Sequence, residues 1–274
     1  MAMVEKLRIA VAGAAGRMGK AAVRAVASAP DMTLAAALGR ERGVGQDAGT
    51  VAGAAPLGVT LTPELADVLD AKPDVLIDFC PGAAAAAHAR AAVPAGVRPV
   101  IGGTGISQTD LDGLAALCGS KRVGAVVAPN FAVGAVLMIE FARLAAHYFP
   151  HVEIIELHHD RKRDAPSGTA LKTAAALATA RGSAPAPTVT DEEIIAGARG
   201  GRVEGIPVHS VRLPGLVAHQ EIIFGGPGQT LTIRHDSVSE ESFMPGLMLA
   251  VRKVRSLVGL VYGLEKLLDL KLES

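Results

Sequence analysis

The chain has 274 residues, enough to bury a sizeable core in one large domain or two modest ones. Half of the residues are hydrophobic but only 3% are aromatic, and there is no Trp, which argues against aromatic platforms for single-stranded nucleic acid. Lys plus Arg equals Asp plus Glu at 27 each, so no global basic field points to DNA or to a membrane surface.

The N-terminus, MAMVEKLRIAVAG, places charges before a short apolar run, as a signal peptide does. The run breaks at glycines and passes into a helical pattern, as a buried first strand would. LRIAVA (7–12) is therefore expected as a strand, followed by a helix from Arg17 to Ala29 and a second strand at MTLAAAL (32–38). The Gly- and Ala-rich stretch 39–58 is weakly periodic and predicts a long surface excursion. VLIDF (75–79) predicts a strand before an alanine-rich helix that ends near Pro94-Ala95-Gly96. RPVIGG (98–103) precedes a helix over 109–120, with Thr109 as its expected cap, and VGAVVA (123–128) closes the series. Continuous apolar strands alternating with helices mean a parallel sheet covered on both faces, a doubly wound Rossmann-type α/β domain.

The pattern changes from Phe131. A helix to about Phe149 leads into VEIIELHH, a helix starts near Ser167, and a proline-containing loop occupies 183–188. VHSVRL (208–213), HQEIIF (219–224) and TLTIRHD (230–236) alternate as half-buried strands, with LPG and GGPG read as hairpin turns. This predicts a second, α+β domain with an open, mostly antiparallel sheet. The last part, Phe243 to Leu267, reads as helical. The expected boundaries are 1–130 with 241–274 for a dinucleotide-binding domain, and 131–240 for a substrate-binding and oligomerisation domain. A sheet with few helices to cover it needs burial of its other face, and self-association supplies it. Cys80 and Cys118 form no CxxC pair and read as reduced, buried thiols of a cytoplasmic protein. No apolar run reaches the ~18 residues of a membrane span.

GAAGRMG (13–19) sits between the first strand and the first helix. In the spacing G-x-x-G-x-x-G, Gly13 serves the tight turn, Gly16 the approach of a pyrophosphate, and Gly19 close helix–strand packing. At the end of the second strand, Gly39 and Arg40 stand where an NAD enzyme places an acid. Arg40, with Arg42 beside it, suits a 2′-phosphate, although both also read as solvated loop charges; NADPH is the expected cofactor, with Glu41 keeping NADH open. Gly102, Gly103 and Thr104 end another strand on the nicotinamide side. Asn130 reads either as a carboxamide or hinge contact or as a cap for the next helix.

The densest chemistry is ELHHDRKRDAPSGTA (156–170). A helix start at Ser167, Gly168 and Thr169 offers hydroxyls and N–H groups to an anion such as a carboxylate. Arg161, Lys162, Arg163 and the two histidines add positive potential. No metal is expected, because adjacent histidines with Asp160 or Asp164 depart from the usual ligand spacings. Ser167 lacks the G-x-S-x-G elbow of a nucleophile. A solvated basic loop with Ser167 as a simple helix cap is the plainer alternative.

Together GAAGRMG, DF (78–79), IGGTG, APNFAVG, ELHHDRKRDAPSGTA and VRLPGLVAHQEIIFGGPGQTLTIRHDS resemble, over essentially the whole chain, the 4-hydroxy-tetrahydrodipicolinate reductase (dihydrodipicolinate reductase) family of lysine and diaminopimelate biosynthesis. The resemblance implies NAD(P)H-dependent reduction of a cyclic dicarboxylate to tetrahydrodipicolinate, and a homotetramer joined through the second domain. It implies His158 as proton donor or acceptor and Lys162 as general acid. His159, Gly168 and Thr169 would hold substrate carboxylates, with Ser167 and Thr104 also on the substrate side. Gly13, Ala14, Ala15, Gly16, Arg17, Met18, Arg40, Gly102, Gly103, Thr104, Ala128, Pro129, Asn130 and Phe131 would line the cofactor. Three positions depart from the family pattern: Gly39 for an acid, Cys80-Pro81-Gly82 for Thr and a basic residue, and Glu240 for an Arg. Two other readings compete: a dinucleotide-sensing regulator without turnover, and a reductase of another carboxylated imine or enamine.

Overall fold

The structure, a computed structural model, describes residues 6–183 and 192–270. The loop expected over 183–188 lies outside the described residues from 184 onward, as does the start of the charged N-terminus, 1–5. The chain divides into two compact units, Met1–Val133 with Glu240–Ser274, and Gly134–Ser239.

The first unit runs β1 (Leu7–Ala12), α1 (Arg17–Ser28), β2 (Met32–Leu38), α2 (Ala48–Val51), β3 (Leu61–Thr62), α3 (Leu65–Asp70), β4 (Val75–Asp78), α4 (Gly82–Ala92), β5 (Arg98–Ile101), α5 (Gln108–Lys121) and β6 (Gly124–Val127). The second unit holds α6 (Val133–Ala146), β7 (His151–His158), α7 (Gly168–Arg181), β8 (Gly201–Val203), β9 (Ile206–Arg212), β10 (Ala218–Gly226) and β11 (Gln229–Ser237). The chain then returns to the first unit with α8 (Met244–Lys253) and β12 (Gly259–Tyr262).

In the first unit the strands form one parallel sheet in the order β12-β6-β5-β4-β1-β2-β3. Val75, Leu76, Ile77, Val100 and Ile101 are fully buried, because helices cover both faces. The strand order reverses between β1 and β4, and the loops that follow these two strands meet there.

Several expectations change. Ser107, not Thr109, caps α5: its hydroxyl oxygen accepts the Asp110 N–H at 3.1 Å. The excursion 39–58 carries its own order, because the Asp47 carboxylate collects the N–H groups of Thr50, Leu57, Gly58 and Val59. The sheet does not close at β6. β12 pairs with β6 in register Gly259↔Gly124 through Tyr262↔Val127, so the C-terminal segment is not helical throughout. Strand pairing overrides the helical reading of an apolar run there, and Gly259 enters it at φ +88°. Cys80 is only half-buried, whereas Cys118 is fully so.

The second unit's sheet has the order β11-β10-β7-β9-β8. Its neighbours are antiparallel except β7 and β9, which run parallel. β10 and β11 form the expected hairpin. β9 and β10 do not: they flank β7, so the LPG turn carries the chain across β7 rather than into a hairpin. α6 and α7 cover one face, where Ala142, Leu177, Ile154, Ile206, Ile222 and Phe224 make a closed core. Alternation places Ile155, Leu157, Val211 and Ile223 on the opposite face, all half-buried.

Candidate active site

The loop after β1 is built from backbone. Gly13 stands at φ +73°, a conformation that favours glycine. A Cβ on Gly19 would lie 2.0 Å from the Gly13 carbonyl oxygen, so only glycine lets α1 sit so close to the loop. The Ala14 N–H bonds Leu38 O at 3.1 Å, and the Gly16 N–H bonds Gly13 O at 2.9 Å. Gly16 is the N-cap residue of α1 and offers no side chain to cap it, so the first-turn N–H groups at Arg17 and Met18 are left for an anion. A cradle that excludes side chains and ends on an open helix start fits the pyrophosphate of a dinucleotide.

Loops after β4 and β5 complete this region. A Cβ on Gly13 would lie 3.4 Å from Cys80 Sγ, one on Gly103 2.0 Å from Cys80 O, and one on Gly102 2.3 Å from the Phe79 ring. Phe79 and Phe131 stack edge to face at 6.3 Å. Burial, followed by the Asp78 charge and hydrogen bond, pushes the Cys80 thiol up to about 12, and the Arg40 charge acts the other way. Arg40 is thus within electrostatic reach of the thiol that borders Gly13. Gly13, Gly102, Gly103, Phe131 and Arg40 therefore converge. Asn130 turns its Oδ1 to the Ala132 N–H at 2.8 Å, just ahead of α6. Thr104 is exposed and gives its carbonyl to the Gly82 N–H. Exposed Arg17 pairs with Glu240 at 3.4 Å.

Asp78, Cys80 and His88 have ligand atoms within 4.8 Å of one another. Asp78 Oδ2 pairs with His88 Nδ1 at 2.7 Å and Oδ1 accepts the Cys80 N–H at 2.8 Å. These groups are hydrogen-bonded to one another through the Asp78 carboxylate.

The second unit's polar centre is built from side chains. Glu156, on β7, is completely buried. Its Oε2 meets His158 Nδ1 at 2.5 Å and Arg212 Nη1 at 2.9 Å. Its Oε1 accepts from Arg212 Nη2 at 2.7 Å and from the Ser167 N–H at 3.2 Å. Burial alone would raise the Glu156 carboxyl; hydrogen bonds from His158, Arg212 and Ser210 outweigh it and hold the group at about 2. Ser167 caps α7, its hydroxyl oxygen accepting from the Ala170 N–H at 3.1 Å, which leaves the Gly168 and Thr169 N–H groups at an open helix start. Lys162 Nζ rests on Asp164 at 2.7 Å, and this bond holds the Asp164 carboxyl below its usual range. His159 Nδ1 and Arg212 Nε are buried without a hydrogen-bond partner among the described residues.

His158, Ser167 and the start of α7 are thus joined through one carboxylate. Neither Glu156 nor Arg212 stands among the residues expected from sequence. Glu156 was open to inference, because a carboxylate two residues before a histidine on a strand shares its face. Arg212 lies 56 residues from Glu156 and is found only through the β7–β9 pairing, Glu156↔Ser210 and His158↔Arg212.

A parallel sheet with a glycine cradle at its switch point, in one chain with a histidine, a lysine and an anion-ready helix start, defines a two-unit dinucleotide-dependent oxidoreductase. Residues 7–131 match the family described as dihydrodipicolinate reductase, N-terminus, and residues 134–268 match dihydrodipicolinate reductase, C-terminus. The chain is 56% identical to 4-hydroxy-tetrahydrodipicolinate reductase of Moorella thermoacetica over 97% of its length and 100% of that protein. It is 52% identical to the protein of that name from Geobacillus kaustophilus, over 96% and 99% of the two chains. Among solved structures, dipicolinate-bound dihydrodipicolinate reductase from Paenisporosarcina sp. TG-14 is similar at a TM-score of 0.86 and 44% identity, covering 96% of this chain and all of that one. The chain belongs to the dihydrodipicolinate reductase family.

Proposed function

We propose that the protein reduces dehydrated 4-hydroxy-tetrahydrodipicolinate to tetrahydrodipicolinate, in lysine and diaminopimelate biosynthesis, using NAD(P)H. The observation that carries this reading is the buried Glu156, which ties His158 to an α7 start open to a carboxylate. Relatives bearing that enzyme's name, over nearly the full chain, support the substrate. When bound, the dinucleotide supplies the hydride.

The chain's residues supply the rest. The Gly168 and Thr169 N–H groups and His159 hold carboxylates. Lys162 is the general acid and His158 the second proton-exchanging group. Residues 131–240 form the substrate-binding and oligomerisation domain, and 1–130 with 241–274 the dinucleotide domain. The loop residues 13–18, with 102–104 and 128–131, line the cofactor, and Arg40 favours NADPH by pairing with a 2′-phosphate. The half-buried face carrying Ile155, Leu157, Val211 and Ile223 supports assembly into a homotetramer through this sheet. The protein works in the cytoplasm; no helix among the described residues is long and apolar enough to cross a membrane.

The test supplies substrate in situ from the preceding synthase and follows NADPH and NADH oxidation separately. Turnover is expected, faster with NADPH, with Lys162→Ala slowing it ~10²-fold or more while NADPH still binds. Binding of NADPH without turnover would leave a dinucleotide-binding protein whose basic loop serves another ligand. Arg40→Ala with unchanged NADPH affinity would remove the 2′-phosphate assignment. Light scattering at micromolar concentration should report four copies; a monomer would sink the assembly.

A further inference from the structure

We propose that Glu156, held by Arg212, is a positioning residue that sets the tautomer and orientation of His158 and locks them to the start of α7. This rests on the reaction assigned above. An ionised carboxylate only accepts hydrogen bonds, so the His158 nitrogen 2.5 Å from Glu156 Oε2 carries the proton. Nδ1 is thereby committed, and Nε2 is the nitrogen left to exchange a proton with substrate. The other oxygen accepts the Ser167 N–H, so the residue that caps the carboxylate-binding helix start is tied to the same group. Arg212 braces the arrangement from β9. It takes both carboxylate oxygens and also donates to the Asp164 carbonyl at 2.7 Å, which anchors the loop that carries Lys162. A fully buried ion pair is weak evidence of stabilisation, since a well-packed apolar replacement is often as stable. One carboxylate linking an imidazole, a helix start and a catalytic loop is arranged for alignment.

Glu156→Gln tests this, because its chemistry predicts a specific error. The amide oxygen takes the Oε1 side, where it accepts from both Arg212 Nη2 and the Ser167 N–H, which turns the amide NH2 toward His158 Nδ1 at the cost of the Arg212 Nη1 bond. Nδ1 then accepts, and the ring proton moves to Nε2. In the intact protein, imidazole 1H–15N correlation spectra should show Nδ1–H for wild-type His158 and Nε2–H for Glu156→Gln. The variant's kcat should fall ~10²-fold or more, as expected for a base held in the wrong tautomer, with KM and NADPH affinity changed less than about threefold. Glu156→Asp, which keeps the charge, should recover part of kcat. Native kcat in Glu156→Gln, or lost kcat with the tautomer unchanged, would overturn the proposal. If Glu156→Gln does not fold, the wild-type spectrum decides alone: Nε2–H in the neutral ring refutes it. A wild type inert toward this substrate would instead overturn the assigned reaction, while the spectra still decide the positioning.

Discussion

The loop after β1 and the centre around Glu156 are made of opposite materials. The first is backbone: glycines that exclude side chains, and N–H groups at an uncapped helix start. The second is charge: a buried carboxylate, a guanidinium and an imidazole from two paired strands, with an N–H from the loop that follows. A backbone site is specified by what is missing from a few neighbouring residues, and it breaks by steric intrusion. A side-chain site is specified by partners far apart in sequence, and it breaks by loss of charge or proton.

The largest expected effect tests the steric half. Gly19→Ala would set a Cβ 2.0 Å from Gly13 O and 2.8 Å from Ala14 Cα, and neither backbone atom belongs to a flexible side chain that can give way. We expect destabilisation of at least ~3 kcal/mol, the upper end for overpacking, and loss of measurable NADPH binding by calorimetry. Gly119→Ala, in α5 with nothing within 4 Å of the new Cβ, is the control and should raise the melting temperature slightly. A Gly19→Ala protein that binds NADPH normally would show that the loop is not close-packed for this purpose.

This difference also explains what was legible in the sequence. The glycine loop, the sheet of the first unit and the α7 start are local patterns, so the spacing of a few residues places them. The Glu156–Arg212 pair is not local. Reading LPG as a hairpin makes β9 and β10 neighbours and sets Arg212 one strand away from its true position; the structure inserts β7 between them. β12 was hidden for a related reason, since an apolar run of that length suits a helix or a strand and only its pairing with β6 decides. Two hydroxyls stand at the start of α5, and only the Ser107 one is placed one residue before the first helical turn to accept the Asp110 N–H, which sequence alone does not distinguish from Thr109.

The charged half should fail in acid. The Glu156 carboxyl lies at about 2 in the folded chain against an ordinary value of 4.5. Its pKa is depressed on folding, so its contribution is fully present above about pH 4.5 and is lost as pH falls through about 2. The linkage amounts to on the order of 3 kcal/mol at neutral pH. Denaturant unfolding measured at steps between these limits should show a steeper slope in wild type than in Glu156→Gln, where only the other depressed carboxylates such as Asp31, Asp110 and Asp236 remain, and the two slopes coinciding would mean that the carboxylate is not held as the structure shows. The dinucleotide loop, whose residues 13–19 include no carboxylate, contributes nothing of its own to that slope.

Ser167 sharpens the comparison with the smallest effect, because there the second unit's polar centre also relies on backbone. It is buried, its N–H is bound to Glu156, and its hydroxyl oxygen accepts from the Ala170 N–H. Ser167→Ala removes only the last of these and strands a buried donor, so stability should fall by about 1 kcal/mol, read as a lower melting temperature. The Gly168 and Thr169 N–H groups remain. If they carry the carboxylate, KM measured well below the melting temperature should change less than about threefold. A rise of tenfold or more would assign the hydroxyl to the substrate as well as to the cap. Ser167→Asn, which keeps a capping oxygen, would then restore the stability without restoring KM, separating the two roles of one residue.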